Sequence, residues 1–321
     1  MIHDEFALIG RIATLFSGRK PKDLIKGIGD DCAVIDTGSA EYLLVSTDAF
    51  LEEVHFKPQY SSFYEAGIKA ATGGISDIFA MGGRCRFVFI ALSVPKNIGT
   101  RQVMNFCRGI RSACDYCGAI VAGGDTTSSK KHFSCTVTSA GYVLKRNLKL
   151  RSGARPGDLV FVTAQPGYSL AGLKILERGF SLRTAEARRA LRAHRRPLPF
   201  IHGRGIFDNP DVHGMIDISD GLSSEANHIA RESGVTLELD LSPLVNDPGL
   251  LRLARRLAFP VEKLVLESGE EYSLLFTAKR APREKGVIAI GRVEKGSGRV
   301  YCRSGDARKL ITPGGFNHFR P

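Results

Sequence analysis

The 321-residue sequence has no tryptophan, only four methionines and no long hydrophobic run. A membrane-spanning helix needs roughly 18 or more apolar residues in succession. The longest apolar stretch, residues 87–94, is much shorter and predicts a buried strand. The first residues, MIHDEF, also lack the basic and then apolar pattern of a secretory signal. We therefore expect a cytoplasmic protein with no membrane partner.

Several well-known catalytic motifs are absent as well. The sequence contains no GxxxxGK[ST], no HRD and DFG pair, no GxSxG and no HExxH. These absences exclude a P-loop nucleotide-binding site, a protein-kinase site, a nucleophile elbow and a thermolysin-like zinc site. Any nucleotide site in this chain must therefore be built from other groups.

The seven cysteines are an odd number in a chain too long for a disulfide scaffold. We expect free thiols in a reducing compartment. Cys114 and Cys117 form a CxxC pair, but no second ligand pair stands at the spacing of a zinc site. The pair therefore predicts two thiols on one helix.

The net charge is +12, because 45 lysines and arginines face 33 acids. Residues 183–196 are the densest basic segment, with six arginines and one glutamate. Nucleic-acid binding is one interpretation of such a cluster. The favoured interpretation is a solvated helix face with Leu191 and alanines turned inward, because no nucleic-acid recognition motif accompanies the arginines. We expect no nucleic-acid partner.

Hydrophobic residues make up 43% of the chain, and its length corresponds to about two globular domains. Helical and extended patterns alternate in both halves, which predicts a mixed α/β fold. A segment rich in Gly, Pro and Arg at residues 148–158 predicts a boundary between residues 1–150 and residues 151–321.

Three predicted elements bear on the site. Residues 42–46 form a short strand that ends at polar residues, and residues 119–122 form a strand that ends at GGD. Residues 64–81 have a helical pattern interrupted at Gly73 and Gly74.

Acidic residues recur in small clusters rich in Gly, Ser and Thr, at the ends of apolar runs. The clusters are GIGDD at 27–31, STD at 46–48, SD at 76–77, GGDTT at 123–127, DISDG at 217–221 and SGEEY at 268–272. Carboxylates and hydroxyls are the hard oxygen ligands that Mg²⁺ shares with phosphates. Each cluster alone is more often a turn or, at Asp217 and Asp220, a helix cap. Together they predict a polyphosphate site that depends on several Mg²⁺ ions.

The ordered series of motifs, completed by RSGARPGD, SGEEYSLLFT and the closing GFNHF, resembles the thiamine-monophosphate kinase family. The resemblance extends from about Glu5 to Phe319. It implies the two-domain architecture of the aminoimidazole ribonucleotide synthetase (PurM-like) superfamily. It also implies that the amino-terminal domain binds ATP and Mg²⁺ and that the second domain closes the active-site cleft. In the implied homodimer, the amino-terminal domains of the two subunits share a β-barrel.

The implied reaction transfers the γ-phosphoryl group of ATP to thiamine monophosphate and yields thiamine diphosphate. The resemblance assigns metal ligands at Asp31, Ser46, Thr47, Asp48, Asp77, Asp125, Asp217 and Asp220, with Asp30 as an additional candidate. It assigns ATP contacts to Gly124, Asp125, Arg151 and Ser219, and substrate contacts to His55, Glu270 and Phe316. Of these, Asp31, Asp48, Asp77, Asp125 and Arg151 are the predicted catalytic residues. A carboxylate and an aromatic face suit a cationic thiazolium ring.

Four positions depart from the family pattern, one of them Phe200, which stands where the family has Arg. Gly74 stands where the family has Asn, Glu271 where it has Asp, and Ser273 where it has Glu. We expect the longer side chain of Glu271 to extend toward the substrate. Two alternatives therefore stay open: a related kinase with another phosphorylated acceptor, and a non-catalytic ATP-binding protein.

Overall fold

The computed structural model describes residues 5–18, 21–181, 183–200, 203–304 and 307–319. Within these ranges the chain forms two mixed β-sheets with helices packed against them. None of the described helices is both long and apolar enough to cross a membrane.

The first sheet belongs to the amino-terminal half. Its strands follow the order β1-β2-β3-β6-β4-β5, and only the β4–β5 pair is parallel. In chain order the elements are α1 (Glu5–Leu15), β1 (Leu24–Lys26), β2 (Ala33–Asp36), β3 (Glu41–Leu51), α2 (Phe63–Ala80), β4 (Arg84–Pro95), α3 (Thr100–Cys117), β5 (Ile120–Ser129) and β6 (Ser134–Leu144).

The second sheet follows the order β13-β12-β9-β11-β7-β10-β8. Two short 3-10 turns, Lys145–Asn147 and Arg151–Gly153, connect the halves. The remaining elements are β7 (Leu159–Val162), α4 (Tyr168–Glu177), α5 (Ala185–Arg195), α6 (Arg204–Phe207), β8 (Val212–Asp217), α7 (Leu222–Ser233), β9 (Val235–Leu239), α8 (Ser242–Val245), α9 (Pro248–Arg256), α10 (Val261–Glu267), β10 (Leu274–Ala278), β11 (Ile288–Lys295), β12 (Arg299–Ser304) and β13 (Ala307–Ile311).

Helix α2 is continuous from Phe63 to Ala80, so the predicted interruption at Gly73 and Gly74 is wrong. A capping box starts the helix: Ser62 Oγ accepts from the Glu65 amide, and Glu65 accepts from the Ser62 amide. Each interior glycine costs about 1 kcal/mol relative to alanine. Burial of most of the helix offsets that cost.

Two strands extend beyond their predicted ends. β3 continues through Asp48 to Leu51, and β5 continues through Asp125 to Ser129. Pairing explains both extensions, because β3 is bonded to β6 along its whole length and β5 is bonded to β4. Interstrand hydrogen bonds thus outweigh the local preference of polar and glycine residues for turns.

The two halves share a hydrophobic core. One cluster of buried residues contains Phe106 and Val137 from the first half together with Phe161, Met215 and Phe276 from the second. A second cluster lies entirely within the carboxyl-terminal half. The boundary near residue 150 remains a prediction.

Two segments had a second interpretation in the sequence: the arginine-rich residues 183–196 and the CxxC pair at Cys114 and Cys117. Both segments form helices, α5 and α3. In α5, Ala187 and Ala190 are buried, while Leu191 packs partly against the second core. Arg189 lies over the Tyr168 ring, with its guanidinium carbon 3.7 Å from the centroid. All seven cysteines are free, and burial raises the pKa of the Cys114 thiol to about 11.

Candidate active site

A cavity of about 1750 Å³ opens between the two halves. Residues of α1, β3, α2 and several loops line it, as does the tail around Phe316. Its lining includes most of the predicted site residues: Asp31, Ser46, Thr47, Asp48, His55, Asp77, Arg151, Asp217, Ser219, Asp220, Glu270 and Phe316.

Three carboxylates converge at one end of this cavity. Asp31 follows β1 in a loop, Asp77 lies near the end of α2, and Asp217 is the last residue of β8. Oxygens of all three lie within 4.8 Å of one another. Hydroxyl groups hold two of them, because Ser46 donates to Asp77 and Ser76 donates to Asp217 at 2.6 Å. This group is the acid cluster below.

The acid cluster is electrostatically costly in the isolated chain. Burial, with repulsion from Asp217 opposed by Arg151, raises the pKa of Asp31 to about 7. Burial raises the pKa of Asp217 to about 6, and burial and the carboxylate of Asp48 raise the pKa of Asp77 well above its usual range. Arg151 relieves part of the repulsion, because its Nη2 and Nε donate to Asp31 Oδ1 at 2.6 and 3.2 Å.

The STD triplet is divided between the two faces of the first sheet. Side chains alternate along a strand, so Ser46 and Asp48 face α2 while Thr47 is exposed on the opposite face. There the Thr47 hydroxyl lies 3.0 Å from that of Thr138 on β6. Only two of the three side chains therefore face the acid cluster.

Ser219 and Asp220 lie in the loop between β8 and α7. Neither Asp217 nor Asp220 caps α7, because the cap position is Gly221 and has no side-chain bond. A buried acid that the sequence analysis missed, Glu225, accepts from the Asp220 amide at 2.9 Å. Its position in the first turn of a helix after DISDG was the signal that could have identified it.

The acid cluster fits a hard divalent cation. Asp31 Oδ2 and Glu225 Oε2 are buried and have no hydrogen-bond partner among the residues that the structure describes. Such atoms are costly to bury unless another group completes their coordination. Carboxylate and hydroxyl oxygens are the donor set that Mg²⁺ prefers.

Gly124 and Asp125 lie away from this cluster within the single chain. They lie on the edge strand β5, and the aligned residues Asp125, Ala91, Thr136 and Ala49 cross the sheet. Three interstrand spacings separate Asp125 from β3, about 14 Å. Gly124 has a structural role, because a Cβ atom there would lie 1.9 Å from the Ile90 carbonyl oxygen.

His55 lies at the other end of the cavity, after β3. Its Nδ1 accepts from the Leu51 amide at 3.0 Å, so the ring proton of the neutral form is on Nε2. Burial and the nearby His318 and Lys69 lower the pKa of His55 to about 4. At neutral pH the ring is therefore an uncharged hydrogen-bond donor.

Glu270 lies beside His55 and is already paired. Lys69 of α2, 4% exposed, donates to Glu270 Oε2 at 2.6 Å and to the His55 carbonyl oxygen at 3.0 Å. His194 Nδ1 lies 3.7 Å from the same Glu270 oxygen. The sequence analysis missed Lys69 and His194. The spacing of Lys69, Gly73 and Asp77 on one helical face could have pointed to Lys69.

The carboxyl-terminal tail completes this end. The Phe316 amide donates to the Asp220 carbonyl oxygen at 3.1 Å, and its ring is 44% exposed. The ring centroid lies 6.4 Å from that of His55 and 4.8 Å from that of His318. The tail thereby places an aromatic ring beside the predicted substrate contacts.

Glu271 does not extend toward the substrate, so that expectation is wrong. Its Oε1 accepts from the Gly167 and Ser169 amides at 2.7 and 3.1 Å, at the start of α4. Ser273 is buried outside the cavity lining. A Cβ atom on Gly74 would lie 3.1 Å from Ser139 Oγ, so a side chain here would displace Ser139.

Comparisons with known proteins agree with this arrangement. Residues 29–143 match the model of the AIR synthase related protein N-terminal domain, and residues 155–302 match that of the C-terminal domain. Fold and site thus place the chain in the AIR synthase related class, as predicted. The thiamine-monophosphate kinase of Bacillus subtilis (strain 168) is 32% identical over 333 aligned positions, which cover 99% of this chain and 100% of the relative. The chain belongs to the thiamine-monophosphate kinase family.

Solved structures show the same relationship. AaThiL complexed with AMPPCP and TMP superposes with a TM-score of 0.83 at 31% identity, covering 96% of each chain. Thiamine monophosphate kinase from Aquifex aeolicus superposes with a TM-score of 0.84 at 29% identity, covering 98% of this chain and all of the other.

Proposed function

We propose that this protein transfers the γ-phosphoryl group of ATP to the phosphate of thiamine monophosphate, forming thiamine diphosphate and ADP. The observation that carries the proposal is one cavity with two different ends. The acid cluster and Arg151 lie at one end, and His55, Glu270 and Phe316 lie at the other. The names of its relatives and the AaThiL complex with AMPPCP and TMP support the same reaction.

The first end is proposed to hold Mg²⁺-ATP. The acid cluster, with Ser46, Asp48 and Asp220, would hold more than one Mg²⁺ ion. When bound, the ions neutralise the phosphate charges. Arg151 supplies a fixed cation for a phosphate oxygen, since a guanidinium fork suits such recognition. Ser219, in the loop after β8, lines the cavity and would contact the nucleotide.

The second end is proposed to hold the acceptor. The neutral His55 ring donates a hydrogen bond to the acceptor phosphate. Glu270 and the face of Phe316 attract the cationic thiazolium ring. A thiamine monophosphate bound in this way would direct its phosphate toward the acid cluster.

Phosphoryl transfer then needs alignment more than proton removal. An oxygen of the acceptor phosphate attacks the γ-phosphorus, and the bond to the β-phosphate oxygen breaks as ADP leaves. The acceptor phosphate is already anionic, so no side chain is assigned as a general base. The main barrier is repulsion between two anions, which positioning and charge neutralisation overcome.

A second copy of the chain is proposed to complete the site. The edge strand β5 is exposed along almost its full length, including Asp125, and Phe89 on the neighbouring β4 is 43% exposed. An exposed strand edge is a template for pairing. In a homodimer, β5 of one subunit would bring its Gly124 and Asp125 toward the STD triplet of the other. Thr47 lies on the face where such a barrel would form.

The proposal is tested by incubating the protein with Mg²⁺-ATP and thiamine monophosphate and separating the products by chromatography. We expect thiamine diphosphate from the wild type and almost none from Asp48→Asn. The matched control is Asp115→Asn, which removes an exposed acid outside the cavity. Mg²⁺-dependent ATP binding without transfer to thiamine monophosphate, or transfer only to other phosphorylated acceptors, would overturn it.

A further inference from the structure

We infer that Lys69 is a positioning residue for the acceptor, and that its ammonium group holds Glu270 so that one carboxylate oxygen is satisfied internally and the other is presented to the ligand. This inference rests on the proposed function and adds to it a residue that the family resemblance did not assign.

The contacts of Lys69 join separate parts of the chain. Its Nζ donates to Glu270 Oε2 in the carboxyl-terminal half and to the His55 carbonyl oxygen in the amino-terminal half. His194, at the end of α5, approaches the same carboxylate oxygen. Removing the ammonium group would therefore release two predicted substrate contacts together.

Stability alone does not account for this ion pair. Lys69 is almost fully buried, and the cost of taking a charge out of water often exceeds what a buried ion pair returns. Glu270 also has a backbone φ of +55°, a left-handed conformation that is strained for a residue with a side chain. Backbone strain at Glu270 and the buried charge of Lys69 together favour a functional role for this pair.

The two oxygens of Glu270 have different surroundings. Oε2 contacts Lys69 and lies near His194, whereas Oε1 accepts no hydrogen bond from the described residues. The Glu270 side chain is 24% exposed and lines the cavity. The free oxygen is thus the one available to a cationic ligand, and Lys69 fixes its direction.

The position of Lys69 predicts which ligand it affects. Lys69 and Asp77 are eight residues apart on α2, which corresponds to about 12 Å along the helix axis. Between them Gly73 has no side chain to obstruct the cavity, and a Cβ atom there would lie 3.1 Å from Asp48 Oδ2. Loss of Lys69 should therefore weaken the acceptor and leave Mg²⁺-ATP almost unaffected.

The test is a double-mutant cycle with Lys69→Met, Glu270→Gln and the two combined. We expect each single variant to raise the KM for thiamine monophosphate at least tenfold, with kcat within threefold and the Kd of Mg²⁺-AMPPCP within twofold. The KM of the combined variant should be no higher than that of the more impaired single variant, because both changes remove the same interaction. The matched control is Lys145→Met, which breaks the ion pair with Asp36 away from the cavity.

Two results would overturn the inference. One is an unchanged acceptor KM in both single variants; the other is a parallel loss of nucleotide and acceptor affinity, which indicates general structural damage. If Lys69→Met does not fold, the acceptor KM and the nucleotide Kd are compared instead for Lys69→Gln and for the nearly isosteric Glu270→Gln. Absence of transfer by the wild type would instead overturn the proposed function, and the inference with it.

Discussion

The two ends of the cavity solve the problem of buried charge in opposite ways. At the acid cluster, Asp31, Asp77 and Asp217 repel one another. The single positive charge of Arg151 does not balance three carboxylates. At the acceptor end, Glu270 has its own ammonium partner, and burial keeps the His55 ring neutral. Under the proposed function the first end would need added cations to balance its charge, whereas Glu270 at the second end is already paired within the protein. The four predictions that follow test this contrast, from the largest expected effect to the smallest.

The largest effect is expected from Asp77→Asn. One carboxylate fewer should lower kcat by about 10²- to 10³-fold, the usual loss when one electrostatic contact to a reacting group is removed. The same change should raise the melting temperature of the metal-free protein, because it removes a buried repulsion. Steady-state rates and thermal melts in EDTA check both expectations.

The control for this prediction is Asp36→Asn, which alters a half-buried acid paired with Lys145 outside the cavity. It should leave the rate unchanged and should not stabilise the metal-free protein. An Asp77→Asn protein that is both active and less stable would show that this end is not strained by its charges.

The next effect concerns pH and metal. The pKa values of Asp31 and Asp217 are raised to about 7 and about 6, so the folded chain keeps protons that the unfolded chain has released. Without metal, the contribution of these two acids to stability should therefore fall as the pH rises from about 4 to about 7. Mg²⁺ requires the ionised acids, so its stabilising effect should grow over the same range.

Thermal melts at pH 5.5 and pH 8, each with EDTA or with Mg²⁺, measure how much Mg²⁺ raises the melting temperature at each pH. We expect a shift of several degrees from Mg²⁺ at pH 8 and a smaller one at pH 5.5. A larger shift at the lower pH would contradict the assignment of the acid cluster.

A smaller effect should separate Glu271 from the site. Glu271→Ala leaves amides at the start of α4 without an acceptor, which should lower the free energy of unfolding by about 1–3 kcal/mol. The KM for the acceptor should not change. Urea unfolding and steady-state kinetics, with the more exposed Glu177→Ala as control, distinguish these outcomes. A changed acceptor KM with normal stability would return Glu271 to the substrate site.

The smallest effect is expected from Phe316→Ala. The ring is half-exposed, so a cation–π contact here is worth about 0.5–1 kcal/mol, a two- to fivefold rise in acceptor KM. The Kd for nucleotide should stay constant. Phe319→Ala, a similarly exposed ring in the same tail, is the control and should have no effect. Equal effects from both variants would indicate a general loss of tail packing.

Local sequence patterns selected three acids whose oxygens the fold brings within 4.8 Å of one another, but they predicted the bounds of the surrounding strands less well. Asp217 stands at a strand end and Asp77 lies in a helix, as expected, but Asp48 and Asp125 lie inside strands. Turn preferences are local, while pairing with β6 or β4 involves residues far away in the chain. Local patterns therefore ended both strands too early.

The partners of Glu270 could not be predicted in the same way. Lys69 is one lysine in an amphipathic helix, and Glu270 follows it by 201 residues. No local pattern records that α2, α5 and the loop before β10 bring these groups together. The direction of Glu271 depends likewise on the position of α4, which only the folded chain defines.

Helix α2 also limits how this chain can change in length. It carries Lys69 toward one end of the cavity and Asp77 toward the other, and successive residues of a helix are rotated by about 100°. A single insertion or deletion between them would turn one of the two side chains away from the cavity. Only an insertion or deletion close to a whole helical turn would keep both side chains directed into the cavity, and it would change the distance between them by about 5 Å. The helix thus fixes the distance and relative orientation of the two side chains. Related chains should therefore tolerate insertions in the loops around the cavity far more readily than in residues 69–77.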